Sequence, residues 1–277
     1  MAETFGNRLQ MRLIEQGPLC VGVDPSSALL TSWDRPDSVD GLEFFSLAVL
    51  EAVTGVVAVI KPQVAFFERF GSAGYAVLER LIRDAHDAEL LVIADAKRGD
   101  FNVTNEGYAQ AWLRDGSPLA VDAVTASPYL GVDALAPLFE AAGASGRGVF
   151  VLAATSNEEG RGIQGVRTFE NERVEDMVLR RVAELNHRDE GLGSLGVVIG
   201  ATREPPDFDL TTLSGPYLVP GVGAQGADAN DVARLFGRCA EGTVLASVSR
   251  AILAAGPERR GLRDAASRWR DELRAAL

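Results

Sequence analysis

Cysteine and histidine are scarce in this chain, two of each among 277 residues, and basic residues are outnumbered, 27 Lys and Arg against 39 Asp and Glu. Each shortage excludes something. Cys20 and Cys239 each lie in or beside an apolar segment and read as reduced core thiols of a reducing compartment, not as a catalytic pair. His86 and His187 fall in polar helical contexts and read as solvated, so no metal site is expected. The net charge of −12 argues against nucleic-acid binding, which needs clustered cations to neutralise phosphates. An anionic ligand must therefore be held locally, by backbone amides and one or two placed cations. No apolar run approaches the roughly 18 residues of a membrane span, and residues 1–16 lack the apolar core of a signal peptide. The expectation is an untargeted cytoplasmic protein with no membrane partner.

What is present is ordinary globular material, 47% hydrophobic and 24% charged. Short runs rich in Val, Ile, Leu and Ala recur at 19–24, 56–63, 90–97, 123–127, 148–155, 195–202, 217–222 and 243–249. They are almost continuously apolar, as strands covered on both faces are. Helical spacing follows most of them, at 41–54, 75–88, 103–113, 132–141, 169–187, 230–239 and 258–277. The sixth crossover is the weakest, because Pro205 and Pro206 leave only a short piece at 209–214. Eight alternating units predict parallel strands with right-handed crossovers, closed into a (β/α)₈ TIM barrel. No Pro- or Ser-rich linker divides the chain, so residues 1–277 are expected to form one domain. Residues 156–168 make a polar, glycine-bearing loop after the fifth run, either a plain connection or a cover for substrate.

Polar residues collect where the apolar runs end: Asp24, Lys61, Asp95, Lys97, Asp100, Ser156 and Arg250. A barrel keeps its catalytic groups at these strand ends. Asp95 and Lys97 are two apart on a strand, so their side chains share a face and the carboxylate can hold the ammonium. Asp100 adds a second carboxylate, and Thr104 is suited to capping the following helix or contacting a phosphoester neighbour. After the seventh run comes Pro220-Gly221-Val222-Gly223-Ala224-Gln225-Gly226, and after the eighth Ser247-Val248-Ser249-Arg250. Loops in these two places commonly form a phosphate grip, with glycines admitting the ligand to the backbone and an arginine supplying fixed charge.

The Asp95-x-Lys97-x-x-Asp100 core, preceded by Lys61-Pro62-Gln63 and followed by Gly221-Val222-Gly223-Ala224-Gln225-Gly226, closely resembles the orotidine 5′-phosphate decarboxylase family. Lys61 to Glu68 and Gly200-Ala201-Thr202 resemble its longer bacterial branch. The resemblance runs from Asp24 to Arg250 with every motif in order. It implies a cofactor-independent carboxy-lyase of pyrimidine biosynthesis, taking a nucleotide substrate and working as a homodimer. Lys97 would give a proton to C6 of the pyrimidine. Asp24 and Lys61 would hydrogen-bond the ribose, with Lys61 also tying Asp95 into the charge network. Asp100 and Thr104 would reach the neighbouring subunit's site. Ser156 would meet the pyrimidine edge, while Gln225, the Ser249 backbone and Arg250 would hold the 5′-phosphate. Phe101 and Asn102 stand where shorter relatives carry Ile and Pro, and Ser249 where Gly is frequent. Serine would matter there only if the backbone needed a positive φ.

Two other readings share these residues. A magnesium-dependent sugar-phosphate lyase of the same barrel group, of the hexulose-phosphate synthase or ketogulonate-phosphate decarboxylase type, has the same Asp-x-Lys-x-x-Asp core. A catalytically silent phosphate-binding barrel would need a broken proton-donor array, whereas Asp95, Lys97 and Asp100 are all in place. A lysine clasped by carboxylates keeps its proton, which disfavours Schiff-base chemistry.

Overall fold

The computed structural model describes residues 4–187 and 191–277; residues 1–3 of the N-terminal stretch considered above lie outside the described part. Eight strands appear where the apolar runs stand: β1 (Leu19–Val23), β2 (Val59–Pro62), β3 (Leu91–Arg98), β4 (Ala123–Ala126), β5 (Gly148–Ala154), β6 (Leu195–Ile199), β7 (Tyr217–Val219) and β8 (Val244–Val248). Each pairs in parallel with the next, and β8 returns to β1, giving a closed barrel in sequence order. Twelve helices are described: α1 (Phe5–Gln16), α2 (Ser27–Ser32), α3 (Val39–Val53), α4 (Ala65–Glu68), α5 (Gly71–Asp87), α6 (Val103–Trp112), α7 (Ala136–Ser145), α8 (Arg161–Gln164), α9 (Val174–Asn186), α10 (Ala229–Phe236), α11 (Arg250–Leu253) and α12 (Arg259–Ala276). The sixth crossover holds only a three-residue 3₁₀ turn, Leu210–Thr212, yet β6 and β7 still pair through Val197–Tyr217 and Val198–Leu218. Strand pairing closes the barrel there without a covering helix.

Strand alternation sorts the side chains into layers. Cys20, Val59, Ile93, Ala123, Phe150, Val198, Leu218 and Leu245, one from each strand, fill the lower barrel interior. Helix α1 seals this layer from the N-terminal side with Phe5, Leu9 and Leu13, all buried and spaced four apart. The Phe5 ring meets Phe150 edge-on at 6.1 Å. It lies so close to β5 that a Cβ on Gly148 would fall 2.2 Å from it. The larger core lies outside the strands, against the surrounding helices. Among the described residues no helix is long and apolar enough to cross a membrane.

His86 is exposed on α5, as expected of a solvated helix residue, and it also has a fixed partner. Its Nε2 lies 3.0 Å from Asp122 Oδ2, an oxygen that also accepts the Val92 amide at 2.9 Å. Asp122 is buried just before β4, and burial alone would favour its neutral form. Hydrogen bonds from His86 and Val92 and the charge of Arg8 outweigh that and hold its carboxyl below the ordinary range. The group ties α1, α5, β3 and β4 together at the closed end of the barrel, far from the strand C-termini. Both cysteines are free thiols; burial pushes Cys20 up to about 12 and Cys239 up to about 11.

Candidate active site

Two residues above the lower layer, the same alternation points a different set inward: Lys61 on β2, Asp95 on β3, Thr125 on β4, Leu152 on β5 and Ser247 on β8. They floor a cavity of about 510 Å³ at the C-terminal mouth of the barrel. One step further up, Asp24, Gln63, Lys97 and Ser249 line its walls, together with Ser156, Gln225 and Arg250. Of the residues singled out in the sequence, Asp24, Lys61, Asp95, Lys97, Ser156, Gln225, Ser249 and Arg250 meet around this one space.

Asp95 is its electrostatic centre. Oδ1 accepts from Lys97 Nζ at 2.6 Å and from the Thr125 hydroxyl at 3.0 Å. Oδ2 accepts from Lys61 Nζ at 3.0 Å and from Gln63 Nε2 at 3.1 Å. Burial of Asp95 opposes ionisation, but the charges of Lys61 and Lys97 and their hydrogen bonds prevail, so its pKa lies well below the usual carboxylate range. For buried Lys61, desolvation works against the ammonium, and the charges of Asp95 and Asp24 overcome it and raise its pKa. Lys97 differs: its side chain is 46% exposed, anchored at one side by Asp95 and open to the cavity at the other. The sequence reading quoted Gln63 only as part of a motif, without a role, and missed Thr125. Thr125 was legible in principle, since it follows the inward-facing Ala123 by two residues on β4.

The strand does not run regularly through this point. Ala94 pairs with Val124 and Arg98 with Ala126, so β3 fits extra residues opposite β4 and bulges, with Lys97 in the left-handed region at φ 48°. Arg98 then rejoins the ladder, held from outside by an ion pair with Glu68, which also accepts from Tyr75 at 2.7 Å. Gly99 passes so close over Ser127 that a Cβ would lie 2.3 Å from its carbonyl oxygen. This course carries Asp100 away along the rim. Its Oδ1 accepts from the Phe101 amide at 2.8 Å, and among the described residues it makes no hydrogen bond or ion pair with Lys97. Within one chain a single carboxylate therefore holds the lysine; the second that the residue order suggested stands on the rim, and the resemblance assigns it to a neighbouring subunit's site. Asp100 and Thr104 lie off the cavity of their own chain, and Thr104 is exposed on α6 beside Phe101 and Val103, both more than half exposed.

Across the mouth, Ser249 Oγ donates to Asp24 Oδ2 at 2.5 Å, while Asp24 Oδ1 is buried with no partner among the described residues. Ser249 has φ −123°, so serine carries no backbone strain where glycine had been a question. Gly221 at φ 94° and Gly223 at φ 79° do need their freedom, shaping the turn beneath Gln225. Arg250 is exposed at the rim and, among the described residues, has no carboxylate partner. The loop after β5 is more ordered than its composition suggested: it forms a 3₁₀ turn, Glu158–Gly160, and then α8. Gln164 ties it back, accepting the Thr155 amide at 3.0 Å, so Ser156 and Asn157 are presented to the cavity.

A buried carboxylate clasped by two lysines at the mouth of a closed barrel, facing an arginine with no carboxylate partner among the described residues, suits an anionic substrate that needs a proton. The sequence profile described as Orotidine 5′-phosphate decarboxylase / HUMPS family matches residues 17–265. The chain belongs to this family. A relative named orotidine 5′-phosphate decarboxylase in Salinispora arenicola is 52% identical over 275 residues, covering 99% of both chains. One of the same name in Corynebacterium glutamicum strain R is 50% identical over 258 residues, 92% of each. A crystal structure from Streptomyces avermitilis, 49% identical, superposes with a TM-score of 0.94 over 99% of this chain and 96% of that one. The OMP decarboxylase of Leishmania donovani, 31% identical, superposes at 0.78 over 99% and 98%. Family membership and the barrel expected from the sequence thus coincide.

Proposed function

We propose that the chain decarboxylates orotidine 5′-phosphate to UMP, with Lys97 as the proton donor. The C6–carboxylate bond breaks with its electron pair left on C6, carbon dioxide departs, and an Nζ proton of Lys97 passes to C6. Solvent then returns a proton to the amine. No carbonyl is placed to absorb that electron pair, so stabilisation must be electrostatic, and an ammonium fixed beforehand acts without reorganising as charge develops. The observation that carries this reading is the saturation of Asp95, whose two oxygens each take two donors and so fix Lys97 at the cavity.

The remaining groups divide by chemistry. Asp24, with an unpartnered buried oxygen, and Lys61 hydrogen-bond the ribose hydroxyls. Ser156 meets the pyrimidine edge, and Gln225, the Ser249 backbone and Arg250 hold the 5′-phosphate. Binding energy from these unreacting parts supports the chemical step, since one lysine contact cannot supply the 8 to 23 kcal/mol or so that enzymes remove from a barrier. Asp100 and Thr104, off their own cavity and on an exposed rim, complete the site of a second copy in a homodimer of the cytoplasm.

The family description also covers the magnesium-dependent sugar-phosphate branch. Against that branch stands Asp95, which has no lone pair left for a cation and has two ammoniums beside it. The test is a spectrophotometric assay of orotidine 5′-phosphate with and without EDTA. Wild type should turn over equally in both, and Lys97→Ala should lose at least about a hundredfold in kcat. Chelator-sensitive turnover, or an active Lys97→Ala, would remove the reading.

A further inference from the structure

We infer that Thr125 is a positioning residue for the proton donor, its single hydroxyl locking both the backbone and the carboxylate that place Lys97. This rests on the decarboxylase reading for its catalytic consequence, though not for its geometry. Thr125 is 1% exposed on β4, opposite the bulge in β3. The bulge removes regular ladder bonds between Ala94 and Arg98, so the amide of Lys97 must find another acceptor. It finds Thr125 Oγ1 at 2.9 Å. With that oxygen accepting from the amide, the one hydroxyl proton is free to point to Asp95 Oδ1, 3.0 Å away. That same Oδ1 holds Lys97 Nζ at 2.6 Å.

Lys97 is thus fixed twice through one side chain. Its main chain is held at a φ of 48°, which a lysine rarely adopts, and its ammonium is aimed by a carboxylate that Thr125 orients. Valine has the same shape and can do neither; serine can do both. Thr125 lines the cavity floor, but its donor and acceptor are spent on Asp95 and Lys97, so substrate affinity does not depend on them.

The experiment compares Thr125→Val and Thr125→Ser in the full-length protein. With orotidine 5′-phosphate, Thr125→Val should lower kcat by about tenfold to a hundredfold, as small misplacements of a reacting group do, with KM changed less than about twofold. Thr125→Ser should recover most of the loss. Amide hydrogen exchange gives a readout independent of turnover: protection at Lys97 should be lost in the valine variant and kept in the serine one. If Thr125→Val does not fold, Thr125→Ala takes its place as the non-bonding variant. Equal kcat in wild type and Thr125→Val, equal losses in the serine and valine variants, or unchanged protection at Lys97 would overturn the inference. A wild type that fails to turn over orotidine 5′-phosphate would instead sink the decarboxylase reading, and the exchange measurement would still decide the role of Thr125.

Discussion

Asp95 is ionised because two lysines outweigh the cost of burying it, and this sets its pH behaviour. Its native pKa is depressed, so the stabilisation is complete above the unfolded value of about 3.9 and is lost as pH falls toward the native one. The stability difference between wild type and Asp95→Asn should therefore be flat from about pH 5 to 7 and narrow below about pH 4, read from urea unfolding. A difference that grows on acidification would contradict the ion-pair geometry. Lys61 behaves in the opposite sense: its raised native pKa gives stability that is full below the unfolded value of about 10.4 and fades only as pH rises through the native one. At the rim, Arg250 faces the cavity with no carboxylate partner among the described residues. Arg250→Ala should cost roughly tenfold to a hundredfold in kcat/KM for orotidine 5′-phosphate, the worth of a charged hydrogen bond, and far less for the phosphate-free nucleoside. Equal losses on both substrates would take the phosphate role from Arg250.

Among the elements, α1 contributes nothing to the cavity and serves as a plug for the barrel. Residues 1–16 were read only for targeting signals, yet Phe5, Leu9 and Leu13 repeat at four-residue spacing and plug the barrel floor. Removing a buried aromatic leaves a cavity that the rigid strands cannot close, so Phe5→Ala should cost about 3–5 kcal/mol in urea unfolding while leaving KM unchanged. Coupled changes in stability and KM would show that the plug also shapes the mouth. The β6 exit works differently. A Cβ on Gly200 would lie 2.6 Å from the Ser156 backbone, so Gly200→Ala must push the β5 loop and should raise KM while costing about 1–3 kcal/mol of stability. These loops were the least legible part of the sequence, because their shape depends on neighbouring strands and not on their own composition. Gln164 reaching back to Thr155 is a contact that no spacing rule announces.

For the whole molecule, a net charge of −12 is reconciled with an anionic substrate by local arrangement, with Lys61, Lys97 and Arg250 gathered at one mouth. The segments after β3 and β4, including the start of α6, expose Phe101, Val103, Tyr129 and Leu130, each more than half accessible, on the side where Asp100 and Thr104 stand. A homodimer through this face would cover them and bring each Asp100 to the other subunit's lysine. Lys97→Ala and Asp100→Asn proteins, each inactive alone, should then regain activity when unfolded and refolded together. In the mixed dimer one site keeps both Lys97 and the partner-supplied carboxylate. Failure of complementation with intact dimers in sedimentation would mean that Asp100 serves its own chain.

The order of the apolar runs and their double-sided burial sufficed to specify the barrel, because pleat and crossover geometry are local and periodic; the polar residues at their ends pointed to the cavity, and the family came from the resemblance their motifs carry. Even the weak sixth crossover was visible in Pro205 and Pro206. Only the folded chain decided that Asp95 has four donors, that Thr125 and Gln63 are two of them, that His86 is bound to Asp122, and that Asp100 leaves its own lysine. Those facts depend on which strands stand side by side and on where β3 bulges. Such distances are created when residues remote in sequence close a ring, and the order of residues along the chain does not contain them.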